Sequence, residues 1–336
     1  MTSRDASAGT APRIVRRGDF VPCRTAFIDA HTPGSDEKEN FAIIGGGVSE
    51  SRDQHVHIRE TPGFNVGAAG QPPGCRNSLH YHRTAEVFFV LGGRWRFFWG
   101  RRGDAGEAVL GEGDIFDIPT GVFRGFENVG DGYGMLMALL GGDDAGGGVV
   151  WTPEVLSEAR AHGLVLGEDG VLYDSAAGEF LPEGVGAMAP LTEAALAEIP
   201  EPGTDEVVSG FVARFGALME MTRSSRSGVL TIGDGGVIDD WSGFAVGFLS
   251  GDSGVSSYAT ERHEGVMAGV GARRLGGSGS EGGGCVRTLQ GRGRCPGGGG
   301  AASKNGGRPG RVPAKYDGPP AESTTRYDVP LGISIP

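Results

Sequence analysis

Short apolar runs, each closed by glycine or proline, fill the first 140 residues of the chain. Val87-Phe88-Phe89-Val90-Leu91 is continuous and follows Glu86, as in a strand buried on both faces. Arg94-Trp95-Arg96-Phe97-Phe98-Trp99 reads as an aromatic strand broken by Arg101-Arg102-Gly103-Asp104. Asp114 to Ile118 alternates in part before Pro119-Thr120-Gly121 turns the chain, and Gly134 to Leu140 is a last buried strand. Strands of this length at roughly 8–12-residue spacing, with Gly or Pro between them, predict an all-β sandwich or barrel from Asp19 to about Leu140.

The pattern then changes. Thr152 is a good N-cap, Pro153 fits the first helical position, and Val155, Leu156 and Ala159 give an apolar stripe that Gly163 can end. A second short helix is expected from Thr192 to Ile199, stopped by Pro200, with a turn at Gly167-Glu168-Asp169-Gly170 between the two. Farther on, Gly63-Phe64-Asn65-Val66-Gly67 recurs as Gly243-Phe244-Ala245-Val246-Gly247, and at the same offset Gly74 falls on Gly254. Phe20-Val21 and Phe211-Val212 add a third echo in the same order. Together they predict a diverged second copy of the first domain. After Gly269 the apolar pattern collapses, and residues 276–310 hold 15 glycines. Such a segment buries too little surface to offset its ordering entropy. It reads either as a disordered extension or as the out-of-frame remnant of a second barrel.

The expected organisation is a flexible arm at 1–18, a first domain at 19–148, a connector at 149–204, an incomplete second domain at 205–275 and a disordered Gly-rich tail at 276–336. At 336 residues the chain has room for two domains, and its 64 glycines exceed twice the ~7% of ordinary usage. A net charge of −12 argues against nucleic acid or an anionic membrane as partner. No apolar run approaches the ~18–20 residues of a membrane helix, and no signal-type segment opens the chain, so a cytoplasmic location is expected. Cys23, Cys75, Cys285 and Cys295 form no Cys-x-x-Cys pair, so no zinc knuckle or disulfide framework is indicated.

The chemistry lies in two motifs. The first runs Gly74, five residues, His80-Tyr81-His82, three residues, Glu86, six residues, Gly93. On a strand, His80 and His82 project to one face, and Glu86 joins them if the strand runs on. Two imidazoles and a carboxylate suit Fe, Mn, Ni or Zn. The second runs Gly113, five residues, Pro119-Thr120-Gly121, two residues, Arg124, three residues, Asn128. Both resemble the paired motifs of the cupin superfamily, and the repeat resembles a bicupin. One fixed position departs: Arg124 stands where the family has a fourth ligand, a histidine.

The resemblance implies a double-stranded β-helix, or jelly-roll barrel, with an incomplete second cupin region. It implies His80, His82 and Glu86 as metal ligands. Arg124 has several readings. It weakens metal binding by like-charge repulsion, pairs with Glu86, binds a substrate carboxylate, or turns outward. His55 and His57 are a further candidate source of a replacement ligand. Two functions follow, with no catalytic residue assigned. One is a metal-dependent, dioxygenase-like enzyme acting on a small organic acid or aromatic, with Arg124 binding substrate. The other is a non-catalytic cupin serving as a ligand-binding, structural or regulatory module. The expected partners are a small-molecule ligand and, as an assembly to test, a second copy of the chain.

Overall fold

The structure is a computed structural model that describes residues 14–61, 63–141, 148–225, 228–240, 245–248, 267–271, 285–289 and 330–334. Two sheets form the barrel. The five-stranded sheet runs, in spatial order, Val150–Trp151, Arg76–Tyr81, Arg124–Asn128, Trp95–Trp99 and Gly106–Leu110. The seven-stranded sheet runs Val212–Ala213, Ile115–Ile118, Glu86–Gly92, Gly134–Gly141, Phe64–Gln71, Glu39–Ile44 and Val56–Ile58. The fold is the all-β jelly roll that the motifs implied.

Between the sheets, Trp95, Phe97, Trp99 and Phe126 of the smaller sheet meet Phe88, Val90, Phe116, Ile118 and Leu136 of the larger. Phe97 packs edge-on to Phe116 at 5.1 Å between ring centroids, within the range where aromatic pairs gain beyond their buried area. The larger sheet is buried on its other face too. Val87, Phe89, Met135, Met137 and Leu139 pack in one cluster with Leu218, Met219, Val229, Ile232 and Phe248. Burial on both faces is why Val87 to Leu91 and Met135 to Leu140 read as continuous runs rather than alternations.

The motif glycines have physical reasons. Gly93 has φ 91°, and a Cβ there would lie 2.8 Å from the Cα of Gly134. Beside it, Asn128 closes the turn: its Nδ2 donates to the Gln71 and Gly132 carbonyls and its Oδ1 accepts from the Gly130 amide. Gly93→Ala should therefore cost at least about 1–3 kcal/mol, read as a lowered midpoint in urea. Gly113 makes room for the ring of Phe215, and Asp114 accepts from the Phe215 amide at 2.9 Å and from Arg214 at 2.8 Å. The second motif thereby anchors the helix Phe215–Ser225 on the barrel.

The connector matches its sequence pattern. Thr152 caps the helix Pro153–Ala161 by accepting from the Val155 amide, and Thr192 caps Glu193–Ala197. The expected turn at 167–170 joins the hairpin Leu164–Leu166 and Leu172–Asp174. A six-stranded sheet follows in the order Ile14–Arg16, Cys285–Leu289, Met267–Gly271, Pro330–Ser334, Ala245–Phe248 and Val229–Ile232. Two of its strands fall inside the Gly-rich stretch 276–336 that composition marks as disordered, and the rest of that stretch lies outside the described residues. The repeat segment Gly63–Gly67 is largely strand, as is the described part of its counterpart, Ala245–Phe248. Among the described residues no helix is long and apolar enough to cross a membrane.

Candidate metal centre

The three expected ligands converge, but not along one strand as the spacing suggested. The strand Arg76–Tyr81 ends one residue before His82, and the chain crosses from the smaller sheet to the larger over residues 82–85. Glu86 opens a strand of the opposite sheet, paired with Ile118 and Leu140. The carboxylate thus meets the imidazoles from across the barrel. One ligand atom from each of His80, His82 and Glu86 lies within 4.8 Å of the others, and all three residues are buried. His82 Nε2 stands 3.7 Å from Glu86 Oε2.

The imidazoles are oriented from behind. His80 Nδ1 donates to the Ser78 carbonyl at 2.7 Å, and His82 Nδ1 donates to the Gly148 carbonyl at 3.0 Å. A carbonyl only accepts, so each neutral ring carries its proton on Nδ1 and leaves the Nε2 lone pair free, the arrangement typical of metal-ligating histidine. Burial, then the nearby Arg124 charge, hold the His80 pKa well below the ordinary histidine value and bring His82 down to about 4. Both rings are neutral near pH 7, as a metal requires.

Arg124 lies directly opposite His80 in the sheet and is 2% exposed. Its Nη2 donates to Glu86 Oε2 in a buried ion pair, and its Nη1 donates to the His80 carbonyl at 3.1 Å. Of the alternatives open in the sequence, this is the pairing with Glu86. The guanidinium is not among the groups lining the cavity.

A second set of residues, silent in the sequence, supports His80. Lys38 and Asp29, both fully buried, form an ion pair; Lys38 Nζ also donates to Asn77 Oδ1 at 2.9 Å, and Asp29 accepts from the Ser78 amide at 3.0 Å. Ser78 is the residue whose carbonyl holds His80. The Trp151 ring packs 5.1 Å from that of His80, and Trp151 Nε1 donates to Glu50 at 2.6 Å. Burial raises the Glu50 pKa to about 8, against the hydrogen bonds from Trp151 and Ile28 that lower it.

Glu50 gives a signed pH prediction. A carboxyl with a folded pKa above its unfolded value binds the extra proton in the folded state, so stability falls as pH rises from about 4.5 towards about 8. At about 1.4 kcal/mol per pKa unit, the loss is on the order of 5 kcal/mol. Chemical denaturation across that window should show the fall, and Glu50→Gln should flatten it.

His55 and His57 lie outside the cluster. His57 Nδ1 donates to the Ala42 carbonyl, and its Nε2 faces the backbone of Asp19 and Val21, tying down the segment before the barrel. Tyr81 points away and packs edge-on to Phe123.

A cavity of about 70 Å³ opens onto the cluster. His80, His82 and Glu86 line it together with Phe27, Asn40, Asn77, Phe88, Phe126 and Leu140. The donor set, two oriented neutral imidazoles and a carboxylate beside a cavity, fits a divalent transition metal with positions left for a ligand.

Fold and site together define a jelly-roll protein with a His–His–Glu cluster able to hold a metal. The chain carries a cupin domain: residues 70–140 match the cupin domain family. A germin-like protein 3-8 of Oryza sativa subsp. japonica is 29% identical over 136 residues, which is 38% of this chain and 57% of that protein. The match thus spans little more than half of that relative's length. A solved oxalate oxidase structure aligns at 20% identity and a TM-score of 0.29, covering 37% of this chain and 59% of that one. A double-stranded β-helix protein of Klebsiella pneumoniae subsp. pneumoniae aligns at 19% identity and a TM-score of 0.26, covering 36% and 90%. Similarities of this size leave reaction and substrate to the chain's own residues.

Proposed function

We propose that the protein is a metal-dependent cupin enzyme of dioxygenase type acting on a small organic acid, with His80, His82 and Glu86 as protein ligands. The observation that carries this reading is the convergence of the three ligand atoms within 4.8 Å, with both Nδ1 atoms already committed to backbone carbonyls. The bound metal would supply Lewis-acid or redox chemistry at the cavity. The chain's own groups do the rest. The Ser78 and Gly148 carbonyls fix the rings, Arg124 aims the Glu86 carboxylate, and Phe88, Phe126 and Leu140 make the space beside them largely apolar. The cavity's size favours a small acid over an aromatic: about 70 Å³ is less than half of the ~150 Å³ that admits benzene.

A second reading rests on the Arg124–Glu86 pair. A permanent cation already neutralises the carboxylate, and a site so balanced can serve a non-catalytic, ligand-binding cupin. The test is elemental analysis of the purified full chain, followed by oxygen-uptake assays with small carboxylates. Close to one transition metal per chain and substrate-dependent uptake support the enzyme. No transition metal after reconstitution overturns it in favour of the second reading.

A further inference from the structure

Asn77 and His80 stand three residues apart, so on a regular strand they would face opposite sides. Both are buried, and both line the cavity. A β-bulge reconciles the two. Along the strand Arg124–Asn128, Arg124 faces His80 and Phe126 faces Asn77, so Gly125 alone opposes both Ser78 and Leu79. The backbones come close there: a Cβ on Gly125 would lie 2.8 Å from the Asn77 carbonyl oxygen. A bulge interrupts the ladder of hydrogen bonds and re-aims the side chains beside it. Here the re-aimed side chain is His80, a member of the cluster.

The near end of the bulge is held by the buried ion pair. Asp29 Oδ2 accepts from the Ser78 amide at 3.0 Å, and Lys38 Nζ donates to Asn77 Oδ1 at 2.9 Å. Ser78 passes the constraint on, since its carbonyl fixes the His80 ring. Asp29 and Lys38 are fully buried. Stability does not account for a pair so deep, because replacing such a pair by apolar residues of similar volume is often neutral or stabilising. Asp29 comes from the helical turn Ile28–His31, and Lys38 directly precedes the strand Glu39–Ile44 of the opposite sheet. The pair thus ties the bulge to parts of the fold outside its own sheet.

We infer that Asp29 is a positioning residue: by holding the Ser78 amide it maintains the bulge that aims His80 at the metal position. Its effect on metal affinity rests on the metal reading above; its effect on the His80 ring does not.

Two double variants of the full chain, matched in size, isolate the acceptor at position 29. Asp29→Asn/Lys38→Met keeps a carbonyl oxygen for the Ser78 amide, and Asp29→Leu/Lys38→Met offers none; neither buries a lone charge. Calorimetric titration with Zn²⁺ should give the Asn variant an affinity close to that of wild type and the Leu variant one about 10–100-fold weaker. NMR of isotope-labelled histidines, with His80 assigned from the His80→Ala spectrum, supplies a readout that a merely structural role would not move. In the metal-free wild type and Asn variant the ring proton should stay on Nδ1, and in the Leu variant that fixed tautomer should be lost. Ser78→Pro removes the amide N–H and leaves the ion pair in place. It should match the Leu variant, and it decides the question if the Leu variant fails to fold. Equal Zn²⁺ affinity in the two double variants, or a fixed Nδ1 tautomer in the Leu variant or in Ser78→Pro, overturns the inference. If wild type binds no Zn²⁺, the metal reading fails by itself, and the tautomer comparison still decides the role of Asp29.

Discussion

Arg124→Ala should destabilise the metal-free protein by about 3–5 kcal/mol, the usual cost of leaving one partner of a buried ion pair uncompensated. The estimate follows from where the pair sits. Arg124 and Glu86 are 2% and 5% exposed, so water cannot replace the lost guanidinium. Glu86 would keep the longer contact with His82, and the His80 carbonyl would lose a donor. Arg124→Met, which keeps the length and apolar stem of the side chain, should cost nearly as much. The double variant Arg124→Met/Glu86→Gln should recover much of the loss, because neither charge is then buried alone. Urea melts of the four proteins settle the matter. Single variants as stable as wild type would show that the pair contributes nothing.

The same substitution separates the two roles a cation can play at this site. A dication beside Glu86 restores the missing positive charge, so metal should raise the Tm of Arg124→Ala more than that of wild type. Binding to the folded state alone stabilises it by mass action. Arg124→His goes further: it removes the repelling charge and supplies a third imidazole as a fourth ligand, so it should bind metal more tightly than either. Equal metal affinity in all three proteins would mean that Arg124 does not sense the metal position.

The sequence exposed this site because its chemistry is local. His80, His82 and Glu86 lie within seven residues, and fixed glycines and proline mark the turns that aim them. It misled on the route: nothing in His82-Arg83-Thr84-Ala85-Glu86 marks the crossing from one sheet to the other, and a strand running on would have given the same convergence. The support behind His80 could not be read at all. Glu50 and Trp151 are 101 residues apart, and Lys38, within Ser35-Asp36-Glu37-Lys38-Glu39, looks like a solvated charge. Its burial depends on Asp29 and Asn77 arriving from other parts of the chain. Arg124 lay between these cases. Its anomaly was visible, but the choice among its partners needed the pairing of His80 with Arg124 in the sheet. The Gly-rich stretch is a different case. Cys285-Val286-Arg287-Thr288-Leu289 is a strand, built on the β-formers Val286 and Thr288, although the composition around it is that of an unfolded chain.

His82→Ala should abolish stable metal binding. It removes one of the three proposed protein ligands, and loss of a residue that merely orients a ligand already costs about 10–100-fold, so the loss here should exceed 100-fold. Unlike Arg124→Ala, it need not unfold the protein, because it leaves the Arg124–Glu86 pair intact. Metal content should therefore collapse while the urea midpoint stays near that of the metal-free parent. The pH dependence follows from the same rings. Protons compete with metal only where the imidazoles take them up. For an ordinary histidine that begins below about 6.5, but burial and Arg124 bring His82 down to about 4 and hold His80 well below its usual value. A lowered folded pKa means that the neutral, metal-competent form persists to lower pH. Bound metal should thus be retained on dialysis from neutral pH down to about pH 5 and be released only as pH approaches about 4. Release already near pH 6 would show that the imidazoles titrate as exposed histidines, and would remove the argument that the barrel pre-organises them for a metal.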